Sequence, residues 1–293
     1  MGEDQRVFGF FLCPLKNWRM TQSLQAFVLG VVQGLTAFLP VSSWSHLIVF
    51  PWLLHWNDTF LNSLTFQVAL QLGSVLALIS FYWKEWGTLL KEFFLGILER
   101  HPLANFHRKL AWYVIAATIP GALFGYLFEK QVKEVLRNPL NVGIAMIFFG
   151  IILYFADRTA RSNTRNYGQI TFKDGIAIGT AQAIALVPGV SRSGITMTAA
   201  LFLGLDRETS AHFSFLLAMP ILLGASLLKL HKLVHYFPAS EVRPFIWGIA
   251  GSALVSYIVI GVLLKYLKRH SFIPFVWYRV LFGTFLIVMY FTR

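Results

Sequence analysis

The chain has 293 residues, of which 56% are hydrophobic and only 13% charged, with a mean hydropathy of +0.62. One soluble core of this length cannot hide so much apolar surface, which excludes a water-soluble globular protein and makes a bilayer the solvent. The net charge of +12 comes from Lys and Arg in short clusters between apolar runs, a pattern for anionic headgroups and topology rather than nucleic acid; the lone Cys13 excludes an internal disulfide and a cysteine-based metal cluster.

In chain order, residues 1–19 read as an extension. Their apolar patch at 7–12 is too short for a secretory signal, and the patterned body begins after Met20. Segment 24–39 is apolar but runs into Pro40-Val41-Ser42-Ser43, and spanning helices are predicted over 64–83, 111–128 and 142–156. Segment 175–187 runs in the same way into Pro188-Gly189-Val190-Ser191-Arg192-Ser193-Gly194, followed by spans over 213–228, 245–267 and 276–291. The two broken segments read as re-entrant, because irregular backbone at membrane depth must face protein or a wet cavity.

Gly30-Val31-Val32-Gln33 before Pro40 resembles Gly179-Thr180-Ala181-Gln182 before Pro188. Each copy precedes three spans, and an odd number turns the second upside down. The predicted fold class is an all-α polytopic membrane protein with inverted repeats, 20–156 and 157–293, each a re-entrant broken segment plus three spanning helices around a shared site near mid-membrane. If the first span starts outside, the inner loops hold Lys84, Lys91, Arg100, Arg108, Lys109, Arg158, Arg161, Arg165, Lys173, Lys265, Lys268 and Arg269 against Lys130, Lys133, Arg137, Lys229, Lys232, Arg243 and Arg293 in the outer ones, a slight bias toward both termini outside that Arg6, Lys16 and Arg19 oppose.

The second turn and the residues after it, Pro188 to Thr196, combine glycines that let backbone N–H groups approach an anion with three hydroxyls (Ser191, Ser193, Thr196) and the Arg192 guanidinium, a set suited to phosphate. A helix starting near Ser193 adds its positive end. In the first turn, Ser42 and Ser43 stand four and three residues before His46, on one face if the turn is helical. Such a pair offers a nucleophile with its base, or an imidazole that attacks phosphorus or protonates a leaving oxygen.

Gln33 to Ser43 with His46, Phe66 to Ser74, Pro188 to Thr196, Phe213 to Ala218, and Phe272 to Phe275 with Tyr278-Arg279 together resemble, in order and spacing, the undecaprenyl-diphosphate phosphatase family of bacitracin-resistance membrane phosphatases. The likeness runs from about Ser23 to the C-terminus. It implies hydrolysis of undecaprenyl diphosphate to undecaprenyl phosphate and phosphate in cell-wall lipid-carrier recycling. A divalent cation, Mg²⁺ or Ca²⁺, is implied, with the site on the outer face of the bacterial plasma membrane; pairing into a homodimer is a further expectation. Carried over residue by residue, the catalytic set is His46, Ser43 and Arg192, the substrate-binding set is Ser42, Gly189, Ser191, Ser193, Gly194 and Thr196, and Gln33 fills the permissive metal position. Ala37 stands where the family has a glutamate, and Trp44-Ser45 where it has small residues. Alanine neither ligates a cation nor takes a proton, and Asp58 and Glu129, the nearest acids by sequence side, read as loop-surface groups. A catalytically weakened homologue that binds or translocates polyprenyl phosphate is the alternative.

Overall fold

The structure, a computed structural model, describes residues 20–135, 138–160, 162, 164–234 and 239–292. The extension 1–19 and the side chain of Glu129 lie outside the described residues. The elements are α1 (Gln22–Ala37), α2 (Ser43–Leu53), α3 (Leu64–Phe81), α4 (Trp83–Leu98), α5 (Phe106–Val135), α6 (Pro139–Thr159), α7 (Phe172–Ala183), α8 (Arg192–Phe202), α9 (Arg207–Val234), α10 (Ala239–Leu267) and α11 (Ile273–Thr292). Polar caps start several of them. The Thr21, Ser63 and Asn138 side chains accept from first-turn N–H groups, and Thr171 and Asp174 satisfy each other's backbone reciprocally at α7.

Five helices are long and apolar enough to cross a membrane, and α3 with α4 makes a sixth when the pair is counted as one bent span. The sequence predicts that this span stops at 83. Instead the chain bends by 79° at Tyr82 and continues as α4, whose Trp83, Leu90, Phe94, Ile97 and Leu98 are exposed while Lys84, Lys91 and Glu92 supply charge. That composition fits a helix lying in the headgroup layer.

The two broken segments are helix–turn–helix hairpins, α1 with α2 and α7 with α8. Each leans on a helix from the far half of the chain: α1 packs on α10, and α7 on α5. Small residues permit the approach. A Cβ on Gly30 would overlap the carbonyl oxygen of Gly248, and one on Gly179 that of Ala117. Where α6 crosses α11 the contact is mutual, a Cβ on Gly143 falling 2.7 Å from the Gly283 carbonyl oxygen and a Cβ on Gly283 2.8 Å from that of Gly143. Without a hydrophobic drive between helices in lipid, such backbone proximity is what holds them. Gly179→Val is therefore expected to destabilise the chain by about 1–3 kcal/mol, the usual range for overpacking. Thermal unfolding in detergent reads this, and an unchanged midpoint would refute the close crossing.

The largest apolar cluster, around Phe38, Leu78, Leu153, Met197, Phe215 and Ile260, joins the first turn to α3, α6, α8, α9 and α10. At one end, the loops predicted to be cytoplasmic are tied by ion pairs: Arg108 with Glu92 (2.9 Å) and Glu99 (2.7 Å), Arg165 with Asp174 (2.5 Å), and Arg207 with Asp157 (2.6 Å). Burial pushes the Asp174 carboxyl upward, but its bonds to Arg165 and Thr171 outweigh that and hold it below the ordinary aspartate range. Asp58 hydrogen-bonds Gln22 (2.9 Å) and the Leu61 N–H (2.9 Å), a loop role remote from either turn.

Candidate active site

Both turns share an uncommon backbone feature. Ser42, before α2, has φ 70°, and Ser191, before α8, has φ 71°. A non-glycine residue at positive φ costs of order 1–3 kcal/mol and persists only where its surroundings over-determine it. Gly189, at φ 96°, has a further reason to be glycine: a Cβ there would sit 2.5 Å from the Val142 carbonyl oxygen.

The agent that fixes both turns is Arg279 of α11. Its guanidinium donates to four backbone carbonyls: Met146 (Nε, 3.0 Å), Pro40 (Nη1, 3.1 Å), Val190 (Nη1, 2.9 Å) and Gly189 (Nη2, 2.9 Å). The side chain is 0% exposed. Gly150 and Gly194 leave the room, since a Cβ on either would lie 3.2 Å and 3.0 Å from Arg279 atoms. One cation thus clamps the first turn, the second turn and α6. The Ser193 hydroxyl adds a second tie between the turns, donating to the Leu39 carbonyl at 2.9 Å.

The residues singled out by sequence fall into two groups. Ser42, Ser43, His46, Gly189, Ser191, Arg192, Ser193 and Gly194 all lie in or directly after the two turns that Arg279 joins. Several of their hydroxyls already have partners. Ser45 Oγ donates to Ser42 Oγ at 2.9 Å, Ser191 Oγ accepts from the Gly194 N–H at 3.2 Å, and Thr196 Oγ1 bonds the Arg192 carbonyl (2.8 Å) and Ser214 Oγ (2.6 Å), which turns it toward α9. Ser43 and Arg192, by contrast, have no side-chain hydrogen bond or ion pair among the described residues. Arg192 is the first residue of α8, whose first-turn N–H groups have no intrahelical partner, that of Gly194 being capped by Ser191 Oγ.

His46 is placed differently from a serine base. Its Nδ1 lies 2.8 Å from the Ser42 carbonyl oxygen and its Nε2 2.5 Å from the Tyr278 hydroxyl, while the ring stacks on Phe282. Ser43 is not among its partners. Tyr278 and Arg279, which sequence reasoning had only as part of a family-like stretch, are the side chains that organise the site. The signal that finds Arg279 is an ionisable residue inside an apolar 20-residue helix.

Electrostatically, the two turns hold two guanidiniums and no counter-carboxylate. Among the described residues, no three His, Cys, Asp or Glu side chains converge as a metal-binding group. Gln33 is 2% exposed; its Nε2 donates to Ser74 Oγ at 3.3 Å while its Oε1 has no partner, and Ala37, one turn on, offers no donor. One neutral amide oxygen does not make a resident site for a divalent cation, which takes hard anionic oxygens. The excess positive charge instead invites an anion with several oxygens.

Residues 26–285 match the family of bacitracin resistance protein BacA. The chain belongs to this family. It is also 46% identical over 265 residues to an undecaprenyl-diphosphatase of Pelotomaculum thermopropionicum, covering 90% of this chain and 96% of that protein. Undecaprenyl-diphosphatases of Moorella thermoacetica (44% over 271 residues, 92% and 98% covered) and Geotalea daltonii (45% over 267 residues, 90% and 97% covered) are similar to the same extent. The BacA match takes in both turns, the first part of α11 and the Arg279 clamp.

Proposed function

We propose that this multi-pass membrane protein is an undecaprenyl-diphosphate phosphatase, hydrolysing undecaprenyl diphosphate to undecaprenyl phosphate and phosphate. The observation that carries the reading is the carboxylate-free pair of turns in which, among the described residues, the half-buried Arg192 side chain has no partner. A diphosphate supplies the missing negative charge, and Arg192 with the first-turn N–H groups of α8 neutralises charge building on the transferred phosphoryl group. Ser43, unpartnered at the start of α2, is placed to attack phosphorus or to orient water; Ser42, Ser191, Ser193, Gly189 and Gly194 shape the cradle. Thr196 contributes from behind, through the Arg192 carbonyl.

The same reading makes the two hairpins inverted copies with the boundary near residue 157. It is supported by the matched positive-φ serines, by Gly30 and Gly179 each abutting a helix of the other half, and by the reciprocal crossing of Gly143 and Gly283. It places the site on the outer face of a bacterial plasma membrane, opposite the ion-paired loops, in a monomer or a homodimer. No cation is assigned to the protein itself. Mg²⁺ or Ca²⁺ dependence then has to come with the diphosphate, whose oxygens are the anionic ligands at hand.

The decisive experiment is phosphate release from undecaprenyl diphosphate by the detergent-purified chain, with Mg²⁺, with Ca²⁺ and with a chelator. Release is expected. Retention of the lipid without release would move the assignment to a polyprenyl-phosphate binder or translocator. Ala37→Glu puts a carboxylate one turn from Gln33, and it is expected to lower the Mg²⁺ concentration for half-maximal release by about tenfold, because ligand charge sets cation affinity. An unchanged cation titration would show that position 37 does not face the phosphates.

A further inference from the structure

Both nitrogens of His46 are engaged. A carbonyl oxygen only accepts, so the 2.8 Å contact with Ser42 puts the proton on Nδ1. Nε2 is then the bare lone pair, and the Tyr278 hydroxyl 2.5 Å away is its donor. The imidazole lies nearly parallel to Phe282 (centroids 4.6 Å apart, planes at 5°) and to Tyr278 (planes at 16°), so it cannot swing toward Ser43 without giving up both rings and the carbonyl. Exposure decides what a ligand meets. His46 is 2% exposed and Tyr278 41%, so of the two rings the tyrosine is the one with surface left open.

The geometry points to Tyr278 as the residue through which His46 exchanges its proton with the reacting oxygens, an inference that rests on the phosphatase reading above. The oxygen that attacks phosphorus, from Ser43 or from water, passes its proton to the phenol oxygen as the phenol passes its own to His46 Nε2. The new O–P bond forms while the bridging P–O bond breaks, and the electron pair of that bond leaves on the lipid phosphate. The imidazolium keeps its Nδ1–H on the Ser42 carbonyl. Its extra proton returns by the same route to the departing phosphate oxygen, restoring the resting pair. If Ser43 is the attacker, the water that later cleaves its phosphoester sends a proton along the same path, which returns it to the departing Ser43 Oγ.

Few other groups compete for this proton. Among the described residues no carboxylate bonds to either ring. Arg279, next to Tyr278 on α11, is committed to backbone carbonyls, and Arg192 is the charge carried by the second turn. The ascending limb of a pH–rate profile therefore belongs to the His46–Tyr278 pair.

The test uses the full chain with undecaprenyl diphosphate. Tyr278→Phe is expected to lower kcat by about 10²-fold, the scale of a lost proton transfer, with KM within about threefold and the ascending pH limb flattened. His46→Ala should cost a similar factor, and the double variant no more than the worse single one, because the two act as a unit. Tyr278→Phe retaining kcat within about threefold, or losses that multiply in the double variant, would overturn the relay. A parent chain that releases no phosphate would instead defeat the phosphatase reading. The pair is then judged by ¹⁵N NMR of His46: an Nδ1–H tautomer whose Nε2 resonance moves on Tyr278→Phe supports it, and an Nε2–H tautomer overturns it.

Discussion

Arg192→Ala is expected to reduce phosphate release from undecaprenyl diphosphate by about 10³-fold while leaving the protein folded. The cause is an imbalance of charge. A guanidinium taken out of water requires a counter-charge or a set of acceptors, and Arg279 shows what the satisfied case looks like, with four carbonyls around it. Arg192, half-buried, has neither among the described residues, although it begins α8 in the second turn, where Ser191 caps only the Gly194 N–H of the first turn. A residue in that state costs stability in the free protein and recovers it when the anion binds, so the alanine variant should melt no earlier than the parent and bind substrate more weakly. Arg192→Lys keeps the charge but loses the planar fork, and it is expected to fall between the two. A steady-state phosphate assay paired with thermal unfolding separates these effects. Activity within tenfold of the parent would remove Arg192 from the reaction.

Much of this is legible in the sequence. Hydropathy and the spacing of Pro, Gly and Ser located the spans and both interrupted segments, because those features report directly on which backbone groups lipid can tolerate. The bend at Tyr82 was hidden. Lys84 looks like the end of a span, and the amphipathic pattern of α4 becomes meaningful only once the helix is seen to turn by 79°. At the site, residue types identified the two turns but not how their hydrogen bonds are used. Ser193 and Thr196 read as phosphate ligands by composition, yet their hydroxyls bond Leu39 of the other hairpin and Ser214 of α9. Ser43 and His46 read as a pair by helical spacing, yet the imidazole is taken by a tyrosine 232 positions later in the chain. Contacts across such separations are set by the crossing of α11 with the hairpins, and local spacing carries no record of that.

Arg279→Met is expected to be the most damaging single change to stability. Methionine fills comparable volume, so the loss is electrostatic: the Pro40, Gly189, Val190 and Met146 carbonyls are left without their donor at a depth that water reaches poorly. Each unsatisfied buried acceptor costs about 1–3 kcal/mol, partly recovered by relaxation, so a total of about 3–5 kcal/mol is a reasonable expectation. Because Ser42 and Ser191 sit at φ near 70°, releasing the clamp also removes what compels them to stay there, and both turns should relax together. That coupling gives the prediction a signature. Hydrogen exchange should rise in residues 38–43 and 187–192 at once, while α5 and α10, which do not touch the clamp, remain protected. Exchange that rises in one turn only would mean the hairpins are held separately, and a thermal midpoint equal to the parent's would mean that other contacts already suffice to hold both turns.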